Sequence, residues 1–275
     1  MNWDADLSDL MKLCYLLIQS EARKKITPGA EWKNEAQVLS VKLFRHVATA
    51  QQISAGIGFN FGPGQDFFYI DHSSVAITVR AAVESYLAFK YIYGSEENIS
   101  IYRHKLWRRA GLIDRSKMLA NTPKSLEILR REAQAIEALR KEIVSSPYYL
   151  SSNRDERKEI DKGNWKPKGG WFSIIKESEI HKRYFNDLYS HMSGHSHASY
   201  ISALQIRDAG DFEQQAMLAG SIRQPLCMIV SHFIFSYVKF FPDAESVMLS
   251  NPGLVEIARA WYVVKEDVVN IYGPV

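Results

Sequence analysis

Apolar side chains recur every three or four residues along almost the whole chain, the spacing that lines one face of an α-helix. Leu7, Leu10, Cys14 and Leu17 form the first stripe. It predicts a helix ending near Lys25, ahead of Thr27-Pro-Gly. A second helix is expected from about Glu31 to Ala55. The glycines of Gly56-Ile-Gly-Phe-Asn-Phe-Gly-Pro-Gly64 then break the pattern. No Gly-Lys-Ser/Thr follows them and no strand precedes them, so a connecting loop is expected rather than a phosphate loop. Long helices are predicted from about Phe67 to Tyr93 and from Glu97 to Leu119. Asn121-Thr-Pro-Lys opens the next, with Asn121 or Thr122 as cap and Pro123 in the first turn. Its apolar face carries Leu126, Leu129, Ala133, Ile136 and Ile143, and the charged opposite face reads as solvated.

Residues 145–170 are polar, too long for an ordinary connection, and are expected to form a flap or functional loop. A histidine-bearing helix follows, then a turn at Arg207–Asp211. Leu218, Ile222, Leu226, Ile229, Phe233, Tyr237 and Phe240 predict one long seam, kinked near Pro225. A last helix is expected from Pro242 to about Asn270. Strand signals are nearly absent and no repeat is visible. The expectation is an all-α bundle of about eight helices, in a single domain over residues 1–275.

Composition narrows the class. The chain is 46% hydrophobic and 24% charged, with a net charge of +3, so contact with nucleic acid is permitted but not required. The two cysteines, Cys14 and Cys227, sit in apolar stretches and read as reduced core residues, which excludes disulfide scaffolds and four-cysteine zinc sites. The acidic start, Met1-Asn-Trp-Asp-Ala-Asp, is unlike a signal peptide. Polar residues interrupt the apolar run Leu226–Phe241, which is shorter than a membrane span. A cytoplasmic protein with no membrane contact is expected.

Two polar segments carry the candidate chemistry. In Tyr184–Tyr200, residues four apart share a helical face, giving the row Tyr189, Ser193 and His197 and the row Asp187, His191 and His195, about 160° apart. The first row is flanked by Phe185, Leu188, Met192 and Ile201 and is expected to face the interior. The apolar helix Val79–Tyr91 carries Arg80 and Glu84 one turn apart. Pairing Glu84 with His197, with Arg80 nearby, would orient an imidazole as a general base. A satisfied internal network that fixes helix register fits the same residues. The second row has ligand types suited to zinc but lacks a complete set, so no metal and no cofactor are expected. In Tyr102–Arg109, the residues Arg103, Lys105, Trp107, Arg108 and Arg109 could grip phosphate and stack on a base of RNA; a solvated face with Trp107 turned inward is the alternative.

The pairing of Arg80-Ala-Ala-Val-Glu84 with Tyr189-Ser-His-Met-Ser-Gly-His-Ser-His-Ala-Ser199, with Trp171 upstream, resembles a group of bacterial helical proteins. These are similar in plan to the HEPN superfamily, helical bundles of toxin and phage-defence systems. Many HEPN proteins are metal-independent ribonucleases using Arg-x(4–6)-His. This chain departs from that motif, because Arg183 precedes His191 by eight residues and His197 by fourteen. The resemblance implies a HEPN-like core with extra terminal helices, and RNA cleavage as one function. His197 would then be the base, Arg80 the phosphorane stabiliser, Glu84 the orienting acid, and Tyr189 and Ser193 the phosphate contacts. The alternatives are a non-catalytic interaction protein, as homodimer or bound to a partner protein, and a metal-dependent hydrolase on the second row.

Overall fold

The structure, a computed structural model, describes residues 2–197 and 199–274. The fold is all-α apart from one hairpin. In chain order the elements are α1 (Trp3–Glu21), α2 (Trp32–Ile53), β1 (Ile57–Asn60), β2 (Asp66–Tyr69), α3 (His72–Tyr93), α4 (Glu97–Ser116), α5 (Pro123–Val144), α6 (Pro147–Ser151), α7 (Arg154–Asp161), α8 (Trp171–Ile174), α9 (Lys182–Ser196), α10 (Tyr200–Asp208), α11 (Phe212–Arg223), α12 (Leu226–Phe240), α13 (Glu245–Ser250), α14 (Pro252–Ala260) and α15 (Val269–Tyr272). There are more helices than the eight expected, mainly because the last third is broken. The continuous helix expected after Pro242 is a 3-10 turn, α13, α14 and α15. Pro252 stands in the first turn of α14, where its missing N–H is harmless, and it cannot continue α13.

The chain divides into two compact units, Met1–Phe89 with Ser178–Val275, and Lys90–Glu177. In the first, the α1 stripe Leu7, Leu10, Leu13, Cys14 and Leu17 is buried, and α1 packs on α2, α12 and α14. Asn2 caps α1, Trp261 donates to Asp6 at 3.0 Å and Arg223 to Asp4 at 2.6 Å. From Leu226 to Ile234, α12 is buried all round. Phe212–Phe240 is long and apolar enough to cross a membrane, but 61% of its apolar window is buried inside the fold, as in a core helix. Both cysteines are free and buried.

The loop expected at Gly56–Gly64 is instead half of an antiparallel hairpin, with Phe59 opposite Phe67, and the expected start of the next helix moves from Phe67 to His72. The reason is alternation. Phe59, Phe61, Phe67 and Tyr69 stack on one face, with ring centroids 5.1–6.4 Å apart, while Phe68 turns to the other and meets Phe212 at 5.2 Å. Gly56 has φ +101, and a Cβ there would sit 2.3 Å from the Phe68 ring, so the hairpin needs glycine at this point.

In the second unit α4 packs on α5 around Leu106, Leu139 and Ile143, with Tyr102, Ile160 and Trp165 against them. Thr122 and Ser125 form a reciprocal cap at the start of α5, with Pro123 in the first turn. The 145–170 segment is more ordered than a plain loop. It contains α6 and α7, and buried Arg109 donates to the carbonyls of Ile160 and Asp161 at 2.7 and 3.1 Å, holding the end of α7.

Candidate functional site

Helices α3 and α9 bring two polar clusters together in the first unit. The first lies where α3 begins. Asp71 caps that helix, accepting from the Ser74 N–H at 3.1 Å and from the Ser74 hydroxyl. One position in, Ser73 Oγ is 2.9 Å from Nδ1 of His195 on α9. His72 lies edge-on to His195, ring centroids 5.9 Å apart, and His191 stands 5.2 Å from His195. His72 and His195 are 3% and 7% exposed, and neither ring nitrogen of His72 has a partner among the described residues. Burial lowers the pKa of His195, and the neighbouring His191 and His72 add to the shift, against a side-chain hydrogen bond with Gln205 and the charge of Asp71. Burial likewise lowers His72, against the pull of Asp71. Both imidazoles are therefore neutral near pH 7.

The second cluster is two turns further along α3. Arg80 Nε donates to Glu84 Oε1 at 3.0 Å, and its Nη2 donates to the Tyr189 hydroxyl at 2.8 Å. Tyr189 in turn donates to Glu84 Oε1 at 2.6 Å, and the Arg80 guanidinium lies 4.8 Å from the Tyr189 ring centre. Burial and the Glu84 carboxylate push the Tyr189 phenol up to about 12, so it keeps its proton and stays a donor. Burial pulls Arg80 down, but Tyr189 and Glu84 outweigh it and the guanidinium is held more firmly charged. Ser73, Ile77, Arg80 and Glu84 follow helical spacing, so one face of α3 carries both clusters, with Ile77 between them 45% exposed.

The expected Glu84–His197 pairing does not form. Helix α9 ends at Ser196, and His197 is its C-cap, with φ −110, ψ 17 and an exposed side chain. The four-residue rule that put His197 in line with Tyr189 stops applying there, and Glu84 takes Tyr189 as partner instead. Tyr189 does face inward as expected, and Ser193 is half-buried. His195, assigned to the solvated row, is buried, while Asp187 and His191 of that row are exposed. Ala198, inside the motif, lies outside the described residues. Among the described residues no three His, Cys, Asp or Glu side chains are placed to share a metal ion.

Several cations of the basic segment already have intramolecular partners. Arg103 lies 3.8 Å over the Tyr91 ring and donates to the Tyr91 carbonyl and to Glu177, each at 2.9 Å. Lys105 pairs with Glu142 at 2.8 Å, and Arg109 is spent on α7. Trp107 is half-buried near His104, and Arg108 is exposed.

Sequence reasoning missed His72 and Ser73. The available signal was Asp71-His-Ser-Ser, a capping residue followed by a helix start, which was hidden when the helix was begun at Phe67. The fold and this geometry define an all-α protein, one hairpin apart, with a polar α3–α9 surface. Residues 70–215, just over half of the chain, match a protein-family model described as a family of unknown function, DUF5677. The chain belongs to that family, and both polar clusters lie within the matched region. Comparison with curated proteins and with solved structures finds no match.

Proposed function

We propose that the protein is a metal-independent ribonuclease of HEPN-like plan, acting as a toxin or phage-defence effector, with His195 rather than His197 as its base. The observation that carries this reading is the cluster of His72, Ser73, His191 and His195 at the start of α3. In the tautomer with its proton on Nδ1, His195 would donate to Ser73 Oγ and keep the Nε2 lone pair for a proton, with Gln205 as the ring's other hydrogen-bonding neighbour. It would take the proton from an RNA 2′-hydroxyl, whose oxygen then attacks phosphorus. The bond from phosphorus to the 5′-oxygen breaks, and His191 would supply the proton that the leaving oxygen needs. The products are a 2′,3′-cyclic phosphate and a 5′-hydroxyl. The N-terminal turn of α3, where the Ser73 N–H has no partner among the described residues, supplies dipole and donor for the phosphorane charge. A 2′-hydroxyl nucleophile leaves DNA uncut.

A second reading has its own observation. Arg80, Glu84 and Tyr189 hydrogen-bond to one another, which suits a non-catalytic interaction protein, homodimeric or partner-bound, in which that row only fixes packing. One experiment separates the two. Wild type, His195→Ala, His191→Ala and His197→Ala are expressed, and growth and RNA integrity are followed, then repeated with purified protein in chelator. The ribonuclease reading expects fragmentation by wild type and by His197→Ala, with a loss of about two to four orders of magnitude in His195→Ala. Silencing by His197→Ala alone would return the base to that residue. Intact RNA with wild type would leave the interaction protein as the function.

A further inference from the structure

The second unit holds a cavity of about 560 Å³ between α4, α7 and the loop after it. That is within the range that encloses a small organic ligand. One wall is aromatic and the rest is largely polar. Tyr91, Tyr102 and Trp165 line it, and the Tyr91 and Trp165 rings stand 6.1 Å apart. The platform is rigid, because Arg103 covers one face of Tyr91 and is itself held by the Tyr91 carbonyl, Ser95 and Glu177. Trp165 is set edge-on against Trp171 at 5.7 Å.

Two further features select the ligand. The Tyr102 hydroxyl is buried and has no hydrogen-bond partner among the described residues. Burial pushes its pKa up to about 12, so the group remains a donor in want of an acceptor. At the mouth, Arg154 and Lys168 are exposed, and among the described residues neither side chain is in an ion pair. Of the three lining acids, Asp155 is exposed and the other two are engaged. Glu156 accepts from the Asn153 N–H at 3.0 Å, and Glu159 is held by Lys162 and Asn164. A wall of tilted aromatic rings, one unmet donor inside and two open cations outside suit a planar heteroaromatic anion. An aliphatic ligand would leave the Tyr102 hydroxyl unmet, and inorganic phosphate would leave the aromatic walls empty.

We propose that this cavity binds a nucleoside phosphate, its base against Tyr91 and Trp165 and within reach of the Tyr102 hydroxyl, its phosphate at Arg154 and Lys168. The assignment is independent of the ribonuclease reading, which concerns α3 and α9.

The test is calorimetric titration of the full chain with AMP, GMP, UMP, adenosine and inorganic phosphate. At least one nucleotide is expected to bind well below about 1 mM, with adenosine and phosphate each weaker by about tenfold or more. Arg154→Glu/Lys168→Glu changes two exposed positions and should weaken binding by about a hundredfold with an unchanged circular dichroism spectrum. Tyr102→Phe should weaken it by about tenfold. A 5′-phosphorylated dinucleotide that binds more tightly than AMP identifies an RNA terminus as the source; a preference for the mononucleotide identifies a free nucleotide. Either supports the site. No nucleotide binding at about 1 mM to folded protein, or binding undiminished in the charge-reversed variant, overturns it.

Discussion

Tyr189→Phe is the sharpest probe of the α3–α9 contact, because it removes a single oxygen and keeps the ring under Arg80. Two bonds are lost, the 2.6 Å donation to Glu84 and the 2.8 Å acceptance from Arg80. A buried hydrogen bond to a charged group contributes about 1.5–3 kcal/mol. The Arg80 and Glu84 side chains are 20% and 29% exposed, so water replaces part of each, and the direct 3.0 Å bond between them survives. The expected loss is therefore about 1–2 kcal/mol, or a fall in Tm of roughly 2–8 °C for a chain of this size. Glu84→Ala should cost more, about 3 kcal/mol, since it strands the Arg80 guanidinium and the Tyr189 donor together. Urea unfolding followed by circular dichroism gives both values, and the Tyr189→Phe/Glu84→Gln cycle gives their coupling, expected to exceed about 0.5 kcal/mol. A Tyr189→Phe protein within about 0.5 kcal/mol of wild type, or a Glu84→Ala protein no less stable than Glu97→Ala at an exposed site, would refute this coupling.

Other outcomes follow from single observations. Burial holds buried His104 down to about 4, so the unfolded chain takes up a proton near pH 6.5 that the native state refuses. Stability is thus complete above pH 6.5 and falls by up to about 3 kcal/mol as the pH drops towards 4; His104→Gln should flatten that slope in melts across this range. Arg109→Ala should release the end of α7, raising hydrogen exchange across residues 154–161, and Arg109→Lys should not restore protection because one ammonium cannot span both carbonyls. Gly56→Ala places a methyl group on the Phe68 ring at a positive φ, and should perturb the hairpin resonances while sparing α4 and α5. Elemental analysis of purified protein should find no metal at one per chain; a stoichiometric ion lost in His191→Ala would refute this.

Helix type and most long helices were legible because their burial is one-sided. The stripe of α1 and the Thr122 cap of α5 stand where periodicity and cap chemistry put them. The hairpin was not legible, since its glycines mask a two-residue alternation only four residues long on each strand. In the candidate site, Arg80 with Glu84 is a local pair and could be read directly. Tyr189 as their partner needed the helix that carries it to be placed against α3. Ser73 with His195 joins residues 122 apart, and helical spacing holds no information about such a contact. His197 was misplaced because the rule used for it assumes that the helix continues, and a single cap position decided its direction.

The insertion of Lys90–Glu177 between the two parts of the first unit sets an order for biosynthesis. That segment is contiguous, and its helices α4 and α5 can pair as soon as they leave the ribosome. Helix α1 emerges before that segment yet packs on α12, α13 and α14, whose synthesis begins about 200 residues later. At about 5–20 residues per second it waits roughly 10–40 s with only α2 to cover its leucines. The nascent chain therefore holds a paired α4–α5 segment while the face of α1 meant for α12 and α14 still waits, and that face is the natural target for a chaperone.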